Sequence, residues 1–403
     1  MSETILTSGS ETAEEPSTSI TEFDEVFEST PTEEVSAPEI VLSEQQTEAV
    51  SRIENFMEDD TQEFRLGGYA GTGKTTLIKY LLARLKTRSV YVVAFTGKAV
   101  SVLHRKGIPA AMTLHSLMYE TRFDSITRKL VHTRREAIYA DLVIVDEASM
   151  ISTELYEDLA GYGIKMLFVG DPGQLEPVGD NPDLMELVRC HYVLDEIHRQ
   201  ARNSPILRLA TAIRTGTYGF QTGTWGGLTI TKQPDALEAF QDVDVTICGR
   251  NNTRHRVNTL RRFQRGITTA ADGVLTVGEA VVCLKNNREF GVSNGMTFRV
   301  TALGPASRLE ARDIMYVDLE DDLGQEYLAV PMALDCFGVD MKRATYRRTI
   351  PFDYAYALTA HKSQGSEWRK VLVIDEPLGY NSDSRRWRYT SCTRASEELI
   401  YLL

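Results

Sequence analysis

Gly68-Tyr69-Ala70-Gly71-Thr72-Gly73-Lys74-Thr75 is the stretch that decides how this chain folds. It fits the spacing G-x-x-x-x-G-K-[ST], the pattern of a loop that wraps phosphate groups. Its flanks agree. Glu63-Phe64-Arg65-Leu66 before it is short and extended in character, and Thr76 to Leu82 after it places apolar residues at helical spacing. Phosphate binding needs a strand, a glycine turn and a helix start in that order. Glycines let backbone N–H groups turn toward one anion, and the helix N-terminus adds partial positive charge. Lys74 can then reach the β- and γ-phosphates of a nucleotide, and Thr75 can ligate Mg2+. A glycine-rich surface turn is the competing reading, and the flanks disfavour it.

A chain of 403 residues exceeds one ordinary domain. It is 42% apolar and 25% charged, ordinary for a globular protein. No run approaches the roughly 18 apolar residues of a membrane span, and Met1-Ser2-Glu3-Thr4 does not open a secretory signal. Cys190, Cys248, Cys283, Cys336 and Cys392 are far apart and form no C-x-x-C. Reduced, mostly buried thiols in a cytoplasmic protein are expected, not a cysteine-held metal. The net charge of −13 argues at first against nucleic acid, but residues 1–41 hold eleven Asp and Glu and no Lys or Arg, which leaves −2 for the rest. A near-neutral body can carry a basic groove on one face. Residues 1–41 are also rich in Ser, Thr, Glu and Pro, so they are expected to be a disordered acidic tail, either solubilising, an arm for a partner or a decoy for a basic DNA groove.

From Leu42 onward the pattern turns globular. Ser89–Phe95, Leu142–Val145 and Met166–Val169 are continuous apolar runs of strand length, with helical patterns between them. Such runs suit a parallel sheet covered on both faces. A second set follows at Val243–Cys248, Tyr356–Thr359 and Val371–Ile374. Between them, residues of about 273–350 show short alternating strands broken by Gly278, Asn294-Gly295, Gly304-Pro305 and Asp322-Leu323-Gly324, the pattern of a small antiparallel β module inserted into the second α/β unit.

Val143-Ile144-Val145-Asp146-Glu147 places two carboxylates at a strand's carboxyl end, where such sheets bind ligands. Asp146 is assigned to the metal and Glu147 to the general base acting on an attacking water. Gly170-Asp171-Pro172-Gly173-Gln174 follows the next strand, and Gln174 could hydrogen-bond a γ-phosphate or that water. By itself this segment reads equally as a Gly/Pro turn. Arg199 and Arg394 could each supply the positive charge that phosphoryl transfer requires, but an isolated arginine is more often a solvated surface residue.

Taken together and in order, the motifs resemble those of superfamily 1 helicases, most closely the RecD-like and Dda-like branch, superfamily 1B. Leu42-Ser43-Glu44-Gln45-Gln46 is similar to the Q motif, which implies that Gln46 reads adenine. Gly68–Thr75 is similar to motif I, so Gly68, Gly71, Gly73, Lys74, Thr75 and Thr76 are implied nucleotide contacts. Ala94–Ala99 resembles motif Ia and Thr113–Leu117 the next DNA-contacting motif. Asp146-Glu147 resembles motif II, Gly170–Pro177 motif III and Ile197–Gln200 motif IV. Thr359–Glu367 resembles motif V, implying that Gly365 and Glu367 touch the nucleotide, and Tyr389–Ala395 resembles motif VI. The resemblance implies that Arg199 and Arg394 are arginine fingers, and that Thr96, Lys98, Thr113, His115, Thr359 and His361 contact DNA. Hydroxyl, imidazole and backbone groups at strand ends can hold phosphates without reading sequence. A basic cluster, Lys342-Arg343 and Arg347-Arg348 around Tyr346, is either a further backbone contact or a solvated edge.

The implied fold is α/β. A RecA-like motor domain 1A spans 42–200, with a small pin-like insertion 1B at 119–140. A RecA-like domain 2A spans 201–403, with an SH3-like β insertion 2B at about 273–350. Tyr119 and Phe123, with Tyr139, are the aromatic candidates for a strand-separating pin. The implied activity is ATP-dependent, Mg2+-requiring 5′-to-3′ translocation on single-stranded DNA with unwinding of forked duplex. The protein is expected to be a cytoplasmic monomer of a bacterium or phage-infected host, with no membrane contact. A replication or single-strand-binding protein is the expected partner of the tail. The alternatives are a translocase that strips bound proteins, an RNA helicase of the same superfamily, or a P-loop switch protein. The guanine-reading Asn-Lys-x-Asp pattern of a switch protein is absent from the sequence.

Overall fold

Strands built almost wholly from Val, Ile, Leu and Phe must be covered on both faces, and in this chain they form two largely parallel sheets. The computed structural model describes residues 40–124, 129–176, 184–198, 203–233, 235–267, 274–287, 289–292, 294–309, 312–321, 324–339, 349–377 and 382–403. The expected tail, the basic cluster around Tyr346 and Arg199 lie outside the described residues.

The first sheet takes strands β1 (Glu63–Gly68), β2 (Val90–Ala94), β3 (Met112–Thr113), β6 (Leu142–Asp146), β7 (Lys165–Gly170) and β8 (Tyr192–Leu194) in the order β3-β2-β6-β7-β1-β8. Every neighbouring pair is parallel. Leu142 and Ile144 enter the core on one face, with Leu66, Leu77 and Ile78, while Val143 and Val145 enter the other with Phe168. That alternation explains why the strands read as continuous apolar runs and not as a period of two. Strands β4 (Tyr119–Asp124) and β5 (Lys129–Arg134) leave this unit as a separate antiparallel hairpin.

The second sheet is formed by β9 (Gly223–Trp225), β10 (Leu228–Thr231), β11 (Val245–Cys248), β17 (Ala357–Thr359), β18 (Trp368–Ile374) and β19 (Ala395–Leu402), in the order β17-β11-β18-β19-β10-β9. It is parallel except at its edge, where β9 runs against β10. Between β11 and β17 the chain forms a closed barrel of β12 (Ala280–Cys283), β13 (Thr297–Leu309), β14 (Arg312–Glu320), β15 (Glu326–Ala333) and β16 (Ile350–Tyr354). Its pairs are antiparallel except β15 with β16. The barrel's described strands run from Ala280 to Tyr354. Two buried ion pairs tie it to the helix Asn251–Gln264 of the second unit: Arg254 with Asp353, and Arg262 Nε with Glu279 Oε1 at 2.7 Å. Removing one partner of such a pair leaves a buried charge and typically costs about 3–5 kcal/mol, so the barrel is fixed firmly at its root.

This arrangement puts the informative residues at the carboxyl ends of interior strands. The phosphate loop leaves the carboxyl end of β1, Asp146 ends β6 and Asp171 follows β7. The helix after the loop, Lys74–Arg84, is anchored by Leu77, Ile78 and Leu81, all at most 1% exposed.

Candidate functional site

The phosphate loop curls as its glycines allow. Gly73 has φ +77°, left-handed, and a Cβ there would meet Gln46 Nε2 at 2.5 Å. Only glycine suits both conditions. Lys74 Nζ lies back along the loop and donates to the carbonyls of Gly68 at 2.6 Å and Tyr69 at 3.3 Å. Thr75 and Thr76 open the helix and face the same cavity as Lys74.

That cavity, of about 590 Å³, is lined from the first sheet by Gly71, Gly73, Lys74, Thr75, Thr76, Asp146, Glu147, Asp171 and Gln174. From the other side it is lined by Gly365, Glu367 and Arg394. Burial pushes the Asp146 carboxyl up to about 6, helped by the adjacent Glu147 charge, while Lys74 pulls it down. A cation held beside it would relieve both raising effects. Glu147 has φ +52°, left-handed for a residue with a side chain. Such backbone costs about 1–3 kcal/mol and is concentrated at functional sites. Gln174 is 7% exposed, and its side-chain oxygen is buried with no hydrogen-bond partner. A buried unpaired acceptor is costly, which fits a group waiting for a donor to arrive.

Arg394 reaches the cavity but is not extended into it. Its guanidinium donates to Thr390 O, Ser366 O and Thr393 Oγ1, each at 3.0 Å. Glu367 is paired across the cleft with Lys106, Nζ to Oε2 at 2.6 Å, and both line the cavity. This half-exposed pair is weak enough to be exchanged for a ligand. Gly365, at φ +69°, has left-handed backbone that favours glycine, and it packs beside Thr96 of the first unit. Gly68, also predicted here, forms the end of β1 under Lys74 and does not line the cavity.

Gln46 is 1% exposed, its Oε1 accepts the Ser43 N–H at 3.0 Å, and its Nε2 donates to Thr72 O at 3.1 Å. With Ser43 it forms the capping box of helix Glu44–Glu58 and fastens that helix to the phosphate loop. As placed, both ends of its amide are engaged, it staples the helix to the loop, and it does not line the cavity.

The residues assigned to DNA lie away from this cavity. Thr96 and Thr113 cap the helices Gly97–Arg105 and Leu114–Met118, accepting from Ala99 N and Ser116 N at 3.1 Å. His115 lies between the rings of Phe95 and Tyr119. Thr359 ends β17, and His361 sits in the following turn, where burial pushes its imidazole downward in pKa. Lys98 is 5% exposed, donates to Thr297 Oγ1 at 3.2 Å and lies over the Trp368 ring. Burial lowers its ammonium to about 8. As placed, the helix Gly97–Arg105 packs against the barrel side, and the Lys98 amine points into that packing. A second cavity, of about 660 Å³, separates Thr113, His115 and Tyr119 from Asn287, Met296 and Tyr327 of the barrel side.

The pin candidates lie in or near the hairpin β4–β5. Tyr119 starts β4 opposite Arg134 at the hairpin base, and its hydroxyl donates to Asp158. Phe123 pairs with Leu130, and its side chain lies outside the described residues. Tyr139, beyond the hairpin, is 86% exposed.

Several contacts across the cleft had no local signal. Tyr389 OH donates to Asp171 Oδ2 at 2.7 Å, Leu175 N donates to Thr390 Oγ1 at 2.9 Å, and Gln364 Nε2 donates to Leu175 O at 2.6 Å. Arg386 pairs with Glu176. Tyr389, Thr390 and Gln364 lie inside quoted motifs, so the motifs were the available clue. Lys106 had none.

Among the described residues, no group of three or more His, Cys, Asp or Glu is placed to hold a metal, and no helix is long and apolar enough to cross a membrane. All five cysteines are free, four of them buried.

Comparison with known proteins agrees with this geometry. The family described as an AAA domain matches residues 41–228, and the UvrD-like helicase C-terminal domain matches residues 354–402. The chain is 27% identical over 362 residues to the ATP-dependent RecD2 DNA helicase of Deinococcus radiodurans, covering 83% of this chain and 46% of that protein. It is 25% identical over 195 residues to the ATP-dependent DNA helicase dda of Enterobacteria phage T4, covering 44% of each. The chain thus spans less than half the length of these two relatives. The fold matches a Pif1 helicase from Bacteroides, solved in complex with ADP-AlF3 and ssDNA, with a TM-score of 0.54 at 19% identity over 90% of this chain and 92% of that one.

Proposed function

From the premise that this chain belongs to the superfamily 1B helicases, we propose that it is an ATP-driven DNA motor of 5′-to-3′ polarity that unwinds forked duplex. One observation carries the proposal: Lys74, Asp146, Glu147 and Gln174 from the first sheet and Glu367 and Arg394 from the second line a single cavity. In that cavity Lys74 swings from its loop carbonyls onto the β- and γ-phosphates. Glu147 takes a proton from the attacking water, a role worth roughly 10²- to 10⁴-fold in rate. Gln174 donates its amide hydrogens to the γ-phosphate or orients that water. Arg394 leaves its three oxygen partners to meet the charge that develops on the transferred group. Thr75 and Asp146, both lining the cavity, would hold a Mg2+ ion, which would neutralise phosphate charge.

Residues 42–200 and 201–403 are read as the motor domains 1A and 2A, and the cleft between them as the ATP site. Nucleotide binding closes it and hydrolysis reopens it, so the two units grip the strand in turn. The barrel is read as the SH3-like module 2B, and the hairpin β4–β5 as pin 1B. The cavity between His115 and the barrel is read as part of the strand path. Entry of DNA there moves the barrel off the helix Gly97–Arg105, which frees Thr96 and Lys98 for phosphate contact. The protein is read as a cytoplasmic monomer whose acidic tail meets a replication or single-strand-binding protein.

Steady-state ATP hydrolysis with and without single-stranded DNA tests the reading. Stimulation of at least about tenfold by DNA and less by RNA is expected, because closure of the cleft is tied to strand binding. Hydrolysis indifferent to any nucleic acid refutes a motor, and stronger stimulation by RNA reassigns the substrate.

A further inference from the structure

Tyr389 has no part in the chemistry just described, yet it stands where the two halves of the cleft meet. It belongs to the helix Ser382–Cys392, packs in the core of the second unit and is 2% exposed. Its hydroxyl accepts the N–H of Ala70, in the phosphate loop, at 2.8 Å and donates to Asp171 Oδ2 at 2.7 Å. The other oxygen of Asp171 accepts the Gly173 N–H at 2.9 Å. The next residue, Thr390, accepts the Leu175 N–H on its hydroxyl at 2.9 Å and the Arg394 Nε–H on its carbonyl at 3.0 Å. Tyr389 and Thr390 therefore hold the loop on both sides of Gln174, touch the phosphate loop and hold the guanidinium of Arg394.

We propose that Tyr389 is a positioning residue whose hydroxyl couples the phosphate loop and the Gln174 loop to the helix end that carries Arg394. The proposal rests on the ATP reading of the cleft. Domain closure then moves Gln174 and Arg394 as one set, and neither can align while the other lags. A phenol suits the task because one oxygen donates to a carboxylate and accepts from an amide at once. Burial and the Asp171 charge keep its proton in place.

The test is Tyr389→Phe in the full chain, which keeps the ring and its packing and removes both hydrogen bonds. DNA-stimulated kcat is expected to fall about 10- to 100-fold, the scale of lost bonds that include a charged acceptor. Affinity for a fluorescent ATP analogue should stay within about threefold, because Tyr389 does not line the cavity. An unchanged kcat overturns the coupling. So does a parallel loss of kcat, nucleotide affinity and melting temperature, which marks a merely structural role. A wild-type chain that hydrolyses no ATP overturns the ATP reading and the coupling with it, whereas an active wild type with an unaffected variant overturns the coupling alone. Should Tyr389→Phe fail to fold, Thr390→Val carries the same measurement. Loss of kcat restored by Thr390→Ser supports the coupling, and equal rates in the two variants overturn it.

Discussion

Replacing Lys74 by alanine will lower ATP turnover at least about 100-fold while leaving the fold intact. The rate loss follows from charge. The ammonium is a cation at the head of the loop, placed beside Asp146 and Glu147 in the same cavity. Removing one preorganised donor from a phosphoryl or acyl transition state costs roughly 10²- to 10³-fold. The fold should survive because Lys74 gives up only two bonds to loop carbonyls, those of Gly68 and Tyr69. The helix behind it stays anchored by Leu77, Ile78 and Leu81. Steady-state hydrolysis with circular dichroism and thermal melting checks both halves. A folded Lys74→Ala chain that turns over ATP at the wild-type rate removes Lys74 from the site.

Arg394→Ala is expected to cost more, about 10³-fold or beyond in kcat, with nucleotide affinity changed only a few-fold. Arginine fingers act on charge that appears in the transition state, so their loss falls on the rate and not on binding. In the structure the guanidinium is held by three oxygens of its own domain, 3.0 Å from each. On the proposed reading it would exchange them for the phosphate, and that exchange would link the finger to cleft closure. Arg394→Lys serves as the control: it keeps the charge but not the planar fork. It should bind nucleotide normally and recover only a small part of the rate. Single-turnover hydrolysis with a parallel binding titration separates these effects. Wild-type single-turnover rates in Arg394→Ala contradict the finger assignment.

Much of the architecture was legible in local pattern. The loop Gly68–Thr75 needs glycine where the backbone turns left-handed, and that need is written into the spacing. Strands such as Leu142–Asp146 are buried on both faces and so read as unbroken apolar runs. The barrel was visible as a change of period, though not its closure, which depends on β12 pairing with β16 some 70 residues away. Side-chain partners were harder to read. Gln46 carries both a helix cap and a bond to the phosphate loop, and only the three-dimensional neighbour reveals the second. Lys98 sits in a motif expected to face DNA, but Thr297 covers it from 199 positions away. Tyr389 meets Asp171 across 218 positions, a distance no periodicity can report. Arg199 and the side chain of Phe123 lie outside the described residues, so their assignments stay with the sequence.

The central claim is that hydrolysis in this cleft drives directional travel along a DNA strand. Unwinding of a duplex carrying a 5′ or a 3′ single-stranded overhang, with ATP and Mg2+, tests it most directly. The account predicts ATP-dependent strand separation from the 5′ overhang. Separation only from the 3′ overhang, or from neither, contradicts it.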